Sequence, residues 1–301
     1  YAVINPNRFD ENNKFSYLCA AGVVFIFLVQ MNSVHCVKNI QNINLLSYLN
    51  LVGLATIADV VPLIGLNRAF VKQGLKIFES RLCLKIFLIR FNLKPNLNEE
   101  TLAFQVAPRL NAGGRVDSAL LTYQFLIETD AHKINKYIDK METANKERKA
   151  LEKILLASAV KQVSNSKDQR PYLLVTARNW HKGVIGIIAS RLKDMYGGLS
   201  IVITIINGVG YGSIRSPKDI DLTKILSELK RFDILINGGG HKQAAGFSLL
   251  QEKIGDFDKV ITNYLSDKVS SKNSVDLLET DGLIDIDAVD NDLITNLNHL
   301  G

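Results

Sequence analysis

The run Tyr172–Ile206, YLLVTARNWHKGVIGIIASRLKDMYGGLSIVITII, carries the reading of the fold. YLLVTA (172–177) and SIVITII (200–206) are short, apolar and rich in β-branched residues, which predicts buried strands. GVIGIIASRLKDMY (183–196) between them predicts a helix. This β-α-β rhythm places the protein in the α/β class. Downstream, YGSIRS (211–216) predicts another strand and LTKILSELKRF (222–232) another helix.

Working back from this core, SNSKDQRP (164–171) reads as a loop and a domain boundary. Residues 130–163 predict a long helix, with Ile134, Tyr137, Ile138, Met141, Leu151, Ile154 and Leu155 at helical spacing. Asp130 suits its N-cap, and Glu142 and Lys146 can pair across one turn. Further upstream, YAVINPNR (1–8) predicts a short strand ending in an Asn-Pro turn. An apolar helix is expected over 16–31, and the apolar run Leu45–Ala58 stops at Asp59. Residues 67–91 predict one or two amphipathic helices. After the Pro95 loop, TLAFQVAP reads as helix or strand, and PRLNAGGR (108–115) as a glycine-rich turn.

With 301 residues, 47% hydrophobic and 22% charged, the chain has material for two folded domains and is not of disordered composition. The net charge is +6, but residues 276–301 hold seven acids and no Lys or Arg. Setting those seven aside leaves 23 acids against 36 bases, so residues 1–275 carry +13. A positive body of that kind inclines toward a polyanionic partner. Cys19, Cys36 and Cys83 are scattered without metal-ligand spacing, which fits a reducing, cytoplasmic setting. The apolar run YLCAAGVVFIFLV (17–29) is too short to span a bilayer, so no membrane partner is expected. No secretory signal, internal repeat or low-complexity segment is visible, and the chain begins with Tyr, which leads us to expect residues upstream.

Five stretches bear on chemistry. INGGGHKQAAGF (236–247) strips side chains from the backbone at Gly238, Gly239 and Gly240, just before His241 and Lys242. Bare amides ahead of a small-residue helix suit a phosphate, though a tight turn with a solvated His and Lys reads equally well. GSIRS offers Ser213, Arg215 and Ser216 at a strand end, with Ser213 and Arg215 on one face. An ordinary surface arginine is the competing reading. NWHKGVIGIIASR (179–191) puts His181 and Lys182 at the positive end of a helix, and Trp180 reads as a packing anchor. PRLNAGGR holds Arg109, Asn111 and Arg115 around glycines, apt for a polyanion or for a structural turn. ATIADVVPL (55–63) ends an apolar run at Asp59, a helix cap, a core hydrogen-bonder or a metal ligand.

NPNR, ATIADVVPL, PRLNAGGR, NWHKGVIGIIASR, GSIRS and GGGHKQAAGF, in this order, resemble the DHH phosphoesterase superfamily in its RecJ branch of single-strand-specific DNA exonucleases. The resemblance runs from about residue 3 to residue 250. It implies hydrolysis of single-stranded DNA from a 5′ end, in repair and recombination, with Mn2+ or Mg2+. It implies that Asp59 is a metal ligand and, with His241, part of the catalytic centre. It assigns substrate binding to Arg109, Asn111, Arg115, His181, Ser213, Arg215, Ser216 and Gly238–Gly240. The superfamily's earlier Asp-x-Asp and Asp-His-His motifs are absent, and no His-His pair occurs anywhere in the sequence. The chain alone is therefore expected to lack metal-dependent nuclease activity, as a fragment or one half of a split gene whose N-terminal half an upstream reading frame would encode.

The architecture this implies is α/β: a truncated DHH-type parallel-sheet domain (1–129), a linking helix (130–167), a smaller α/β DHH-associated domain (168–262), and the start of an OB-type domain (263–301). Two other functions remain in view. One is an oligoribonuclease or nucleotide phosphatase of the same superfamily, acting on short substrates. The other is a non-catalytic remnant that binds nucleic acid or a partner, other repair proteins included.

Overall fold

The computed structural model describes residues 3–8, 10, 14–33, 43–93, 97–116, 118–166, 170–269, 280 and 282–300. Among these residues seven helices precede the long one: α1 (Ala20–Ser33), α2 (Leu49–Ala58), α3 (Gly65–Lys76), α4 (Leu82–Arg90), α5 (Glu99–Thr101), α6 (Ala107–Val116) and α7 (Leu120–Ile127). α1 is apolar on every side, and α2 and α3 cross where Gly53 and Gly74 remove side chains. A Cβ on Gly74 would lie 2.4 Å from the Leu49 carbonyl oxygen. No described helix is long and apolar enough to cross a membrane. The centres of the two expected loops, at Pro95 and at 167–169, lie outside the described residues.

The α/β reading holds, and its sheet lies wholly in the C-terminal part. Among the described residues 3–116 and 118–129 there is no strand. YAVINPNR keeps its turn at Pro6–Asn7, but residues 3–5 have no described neighbour to pair with. PRLNAGGR is not a turn but the body of α6. Pro108 is tolerated in this continuous helix because a π-helical turn, Leu102–Val106, lies just before it. Such a turn has already shifted the main-chain pairing that proline would interrupt.

The long helix α8 (Ala131–Asn165) starts where expected: the Asp130 carboxylate accepts from the Lys133 N–H at 3.0 Å. Its two halves serve different cores. Ile134, Ile138 and Met141 pack with Phe87, Leu102, Val106 and Phe125. Leu155 and Ala159 pack with Val175, Val184, Ile188, Leu192 and Val202. One rigid helix thus ties both domains together. Ile154, expected on its buried face, is 65% exposed. Glu142 pairs with Arg109 rather than Lys146.

The C-terminal domain is a five-stranded sheet in the order β1-β2-β3-β5-β4, built from β1 (Tyr172–Arg178), β2 (Leu199–Ile206), β3 (Val209–Arg215), β4 (Asn237–Gly240) and β5 (Ala244–Leu250). β1 and β2 are parallel, as a β-α-β unit requires, and the other pairings are antiparallel. The helix expected after NGGGH is therefore strand β5. AAGFSLL alternates, sending Ala245, Phe247 and Leu249 into the core. That core is closed by α10 (Leu222–Arg231) and α11 (Ile254–Val269). The opposite face is covered by α8 over β1 and by α9 (Ile185–Tyr196) over β2 and β3. Beyond it, β5 and β4 present Gly246 and Gly239 to solvent. Cys19 and Cys83 are buried free thiols, and Cys36 lies outside the described residues. At the acidic end α12 (Asn291–Leu300) follows a short helical turn, with Leu283, Ile286 and Ile294 exposed.

Candidate nucleic-acid interface

The junction of the two domains gathers arginines. Along β3, alternation puts Tyr211, Ser213 and Arg215 on the face beneath α9. Arg215 Nη1 donates to Ser213 Oγ at 2.9 Å and to the Ile214 carbonyl at 2.8 Å. Gly186, in the first turn of α9, leaves room for them: its Cβ would lie 3.1 Å from Arg215 Nη2 and 3.3 Å from Ser213 Oγ. Burial lowers the pKa of Arg215 from its ordinary value, and the positive charge of Arg115 lowers it further. Arg115, at the end of α6, is lowered by burial and by Arg148, with Glu152 opposing. Both guanidinium groups stay charged.

The counter-charge is scarce. Glu152 is the acid that faces this row, and it already accepts from Arg148 Nη1 (2.8 Å) and Arg191 Nε (3.3 Å). Arg148 Nη2 donates to Asn145 Oδ1 at 3.1 Å, while its Nε, shut off from solvent, has no acceptor among the described residues. Arg115 makes no hydrogen bond or ion pair among the described residues. Charged groups held together without acceptors are stabilised by an anion that supplies them.

Arg115 and Arg148 open onto a cleft of about 550 Å³ between the domains. Its walls are the turn after α2 (Ala58, Val60, Val61), the segment Glu99–Asn111, Arg115 and Arg148, and Ile187 of α9. Gly183 sets how closely the domains meet. An added Cβ there would fall 1.9 Å from the Arg115 carbonyl oxygen.

The sequence-predicted residues divide into groups. Arg115, Ser213 and Arg215 come together, and Asn111 lines the same cleft. Arg109 is engaged in structure: its Nε donates to Glu142 at 2.9 Å, its Nη1 to the Gln105 carbonyl, and its guanidinium lies 4.3 Å from the Phe91 ring centre. His181 accepts from the Gly183 N–H at 3.2 Å, shaping the turn into α9, and Lys182 stands 5.1 Å over the Tyr211 ring. Trp180 packs against the core beneath α9, and its carbonyl accepts from Thr204. Ser216 is buried, and its hydroxyl donates to the carbonyls of Ile220 (2.9 Å) and Lys242 (3.1 Å), tying the 241–243 turn to the end of β3.

The three glycines differ from one another. Gly238 faces Leu226 and Leu235, Gly240 passes within 2.4 Å of the Ala244 carbonyl at its Cβ position, and Gly239 faces open space. His241 is exposed, and its N–H donates to the Ala244 carbonyl at 2.8 Å, so it stands at the same end of the sheet as Arg215. Asp59 is exposed on the turn after α2; its neighbours Ala58 and Val60 form the cleft wall there. Arg148 and Glu152 carried no motif in the sequence, and Arg191 was only the unassigned last residue of NWHKGVIGIIASR. Only the packing of α8 against α6 and α9 brings them in.

The fold and this junction define a class: an α/β protein whose sheet domain meets a helical domain at a largely apolar cleft that holds Arg115 and Arg148 on one side and Glu99 and Glu100 on the other. The family model described as "DHHA1 domain" matches residues 169–267. Along most of its length the chain is similar to proteins named RecJ. It is 31% identical over 252 residues to the single-stranded-DNA-specific exonuclease RecJ of Bacillus subtilis, which is 82% of this chain and 32% of that protein. It is 29% identical over 297 residues to the protein of the same name from Haemophilus influenzae, covering 93% and 52%. Its fold is similar to the crystal structure of RecJ from Thermus thermophilus in complex with Mg2+, with a TM-score of 0.69, 27% identity, and coverage of 82% of this chain and 38% of that one. A structure of exonuclease RecJ bound to manganese gives 0.64, 28%, 84% and 63%. The chain thus spans about a third to a half of the length of these curated relatives.

The metals in those structures invite a test of fit. Mg2+ and Mn2+ need several oxygen donors converging on one point. Among the described residues no three His, Cys, Asp or Glu side chains gather that way, and Asp59 stands alone. The described residues do not form such a centre.

Proposed function

We propose that this chain is the substrate-gripping part of a RecJ-type enzyme that hydrolyses single-stranded DNA from its 5′ end. The observation that supports this best is Arg115, unpaired among the described residues, beside Arg215, whose guanidinium is braced on Ser213. Two guanidinium groups at the N-terminal end of α9 suit a doubly charged terminal phosphate. Asn111 lines its approach, and the exposed His241 stands at the same end of the sheet as Arg215. Asp59 serves as a metal ligand only in a centre completed by donors from outside the described residues. The reading sets the chain in the cytoplasm, in DNA repair and recombination.

The test is fluorescence anisotropy with oligodeoxythymidines labelled at the 3′ end and carrying either a 5′-phosphate or a 5′-hydroxyl. The phosphorylated strand should bind more tightly, and affinity should fall as salt rises. Arg115→Ala and Arg215→Ala should each remove most of the phosphate preference. Equal affinity for both strands, insensitive to salt, would sink the reading.

The absence of a donor cluster among the described residues favours a second form of it: one half of a split enzyme, binding DNA without turning it over. Manganese-dependent digestion by the purified chain would overturn that form.

A further inference from the structure

We propose that Phe104 is a base-stacking platform, and that a groove leading from it between α8 and α9 carries the nucleotides beyond the terminal one. This rests on the single-stranded DNA reading above. Phe104 is 75% exposed, the most exposed aromatic ring among the described residues. It sits in the π-helical turn Leu102–Val106, whose ends, Leu102 and Val106, are buried. The buried ends fix the turn, and the ring stands out from the opposite side. π-turns of this kind concentrate at functional sites.

Phe104 also stands where two openings meet. With Pro108 and Arg148 it borders both the 550 Å³ cleft and a second groove of about 670 Å³. The first leads to Arg115. The second is lined by Lys149, Lys153, Leu156, Arg191 and Met195 as well. Four bases line this groove against one acid, Glu152, which is already bound to Arg148 and Arg191. Lys149 and Lys153 are exposed, one helical turn apart on α8, and neither is paired among the described residues.

An aromatic face beside a row of free cations matches one kind of ligand: a flexible polyanion that carries flat rings. Bases stack on the ring in any sequence, and phosphates meet the lysines. Double-stranded nucleic acid has its bases already stacked and offers no face to Phe104. The platform therefore favours a single strand.

The experiment measures binding of the full chain to 5′-phosphorylated oligodeoxythymidine and to an abasic strand of equal length. The parent should prefer the strand with bases. Phe104→Ala should bind the thymidine strand about tenfold more weakly, the scale of one lost stacking contact. It should bind the abasic strand unchanged and keep the parent's preference for a 5′-phosphate. Phe104→Trp should restore the base preference, with its added emission quenched on binding. The Lys149→Ala/Lys153→Ala double variant should weaken both strands alike and flatten the salt dependence. If Phe104→Ala binds both strands like the parent, or loses both equally, the platform is refuted while the phosphate clamp stands. If the parent shows no 5′-phosphate preference, the underlying reading fails instead.

Discussion

Gly183→Ala is the sharpest perturbation the structure offers. The new methyl would sit 1.9 Å from the Arg115 carbonyl oxygen and 2.9 Å from its carbonyl carbon, where real Cβ contacts stay beyond 3.0 Å. The two segments must part by at least about 1 Å. Neither side is a flexible side chain: one is the end of α6, the other the turn that enters α9. Overpacking of this kind costs about 1–3 kcal/mol. Each kcal/mol should lower Tm by about 2–4 °C in a protein of this size class.

The functional effect should exceed the thermal one. Arg115 moves with α6, whereas Arg215 stays with the sheet, so the pair opens and a bound phosphate keeps only one of them. Losing one charge-assisted hydrogen bond costs about 1.5–3 kcal/mol, roughly 10- to 150-fold in affinity. Thermal melts together with anisotropy on phosphorylated and unphosphorylated strands would measure both. Gly255→Ala is the control, because nothing lies within 4 Å of its Cβ position. If Gly183→Ala keeps both the parent's Tm and its phosphate preference, the close interdomain contact is wrong.

Other outcomes follow from the same packing. Gly212→Ala drives a Cβ to 2.0 Å from the Phe247 ring, itself stacked 4.7 Å from Phe257, so urea unfolding should shift by about 1–3 kcal/mol; an unchanged midpoint would contradict the β3–β5 register. The Tyr172 hydroxyl is buried and donates to Asp258; burial first, then that bond, raises its pKa above the ordinary 10.0. The folded state holds this proton more tightly than the unfolded chain does. Its contribution is therefore intact below the ordinary phenol value and is lost as pH rises through the higher folded one. Tyr172→Phe should flatten the alkaline decline in stability, and an unchanged alkaline slope would count against it. Ser216→Ala removes a hydroxyl that binds two carbonyls and should cost about 1 kcal/mol; faster amide exchange at residues 241–243 would confirm its anchoring role, and unaltered exchange would deny it. Calorimetry of the chain with Mn2+ should show no tight saturable site, and finding one would refute the donor count.

Much of this molecule could be read from local pattern. Alternation and β-branching predicted β1, β2 and β3, and 3.6-residue spacing with Asp130 predicted α8, because in each the decisive forces act within one element. Arg115, Ser213 and Arg215 were legible as phosphate-binding types for the same reason. Glycine-rich stretches misled in both directions. PRLNAGGR is the helix α6, whose Gly113 and Gly114 let α7 and the residues before it pack close, while the turn before α9 comes near through its own Gly183. GGGHKQAAG is a hairpin because Gly212, opposite Phe247, admits that ring into the core. Glycine reports that something comes near, and the partner that decides which conformation wins lies far along the chain. The same holds for Arg148, Glu152, Arg191 and Phe104, which gain meaning only from neighbours on other helices. Residue types and periodicities settled the class of fold and the charge it presents. Which charges stand together, and which are left without a counter-ion, was decided by how α6, α8, α9 and β3 pack, since Coulomb and contact energies depend on separation in space and not on position in sequence.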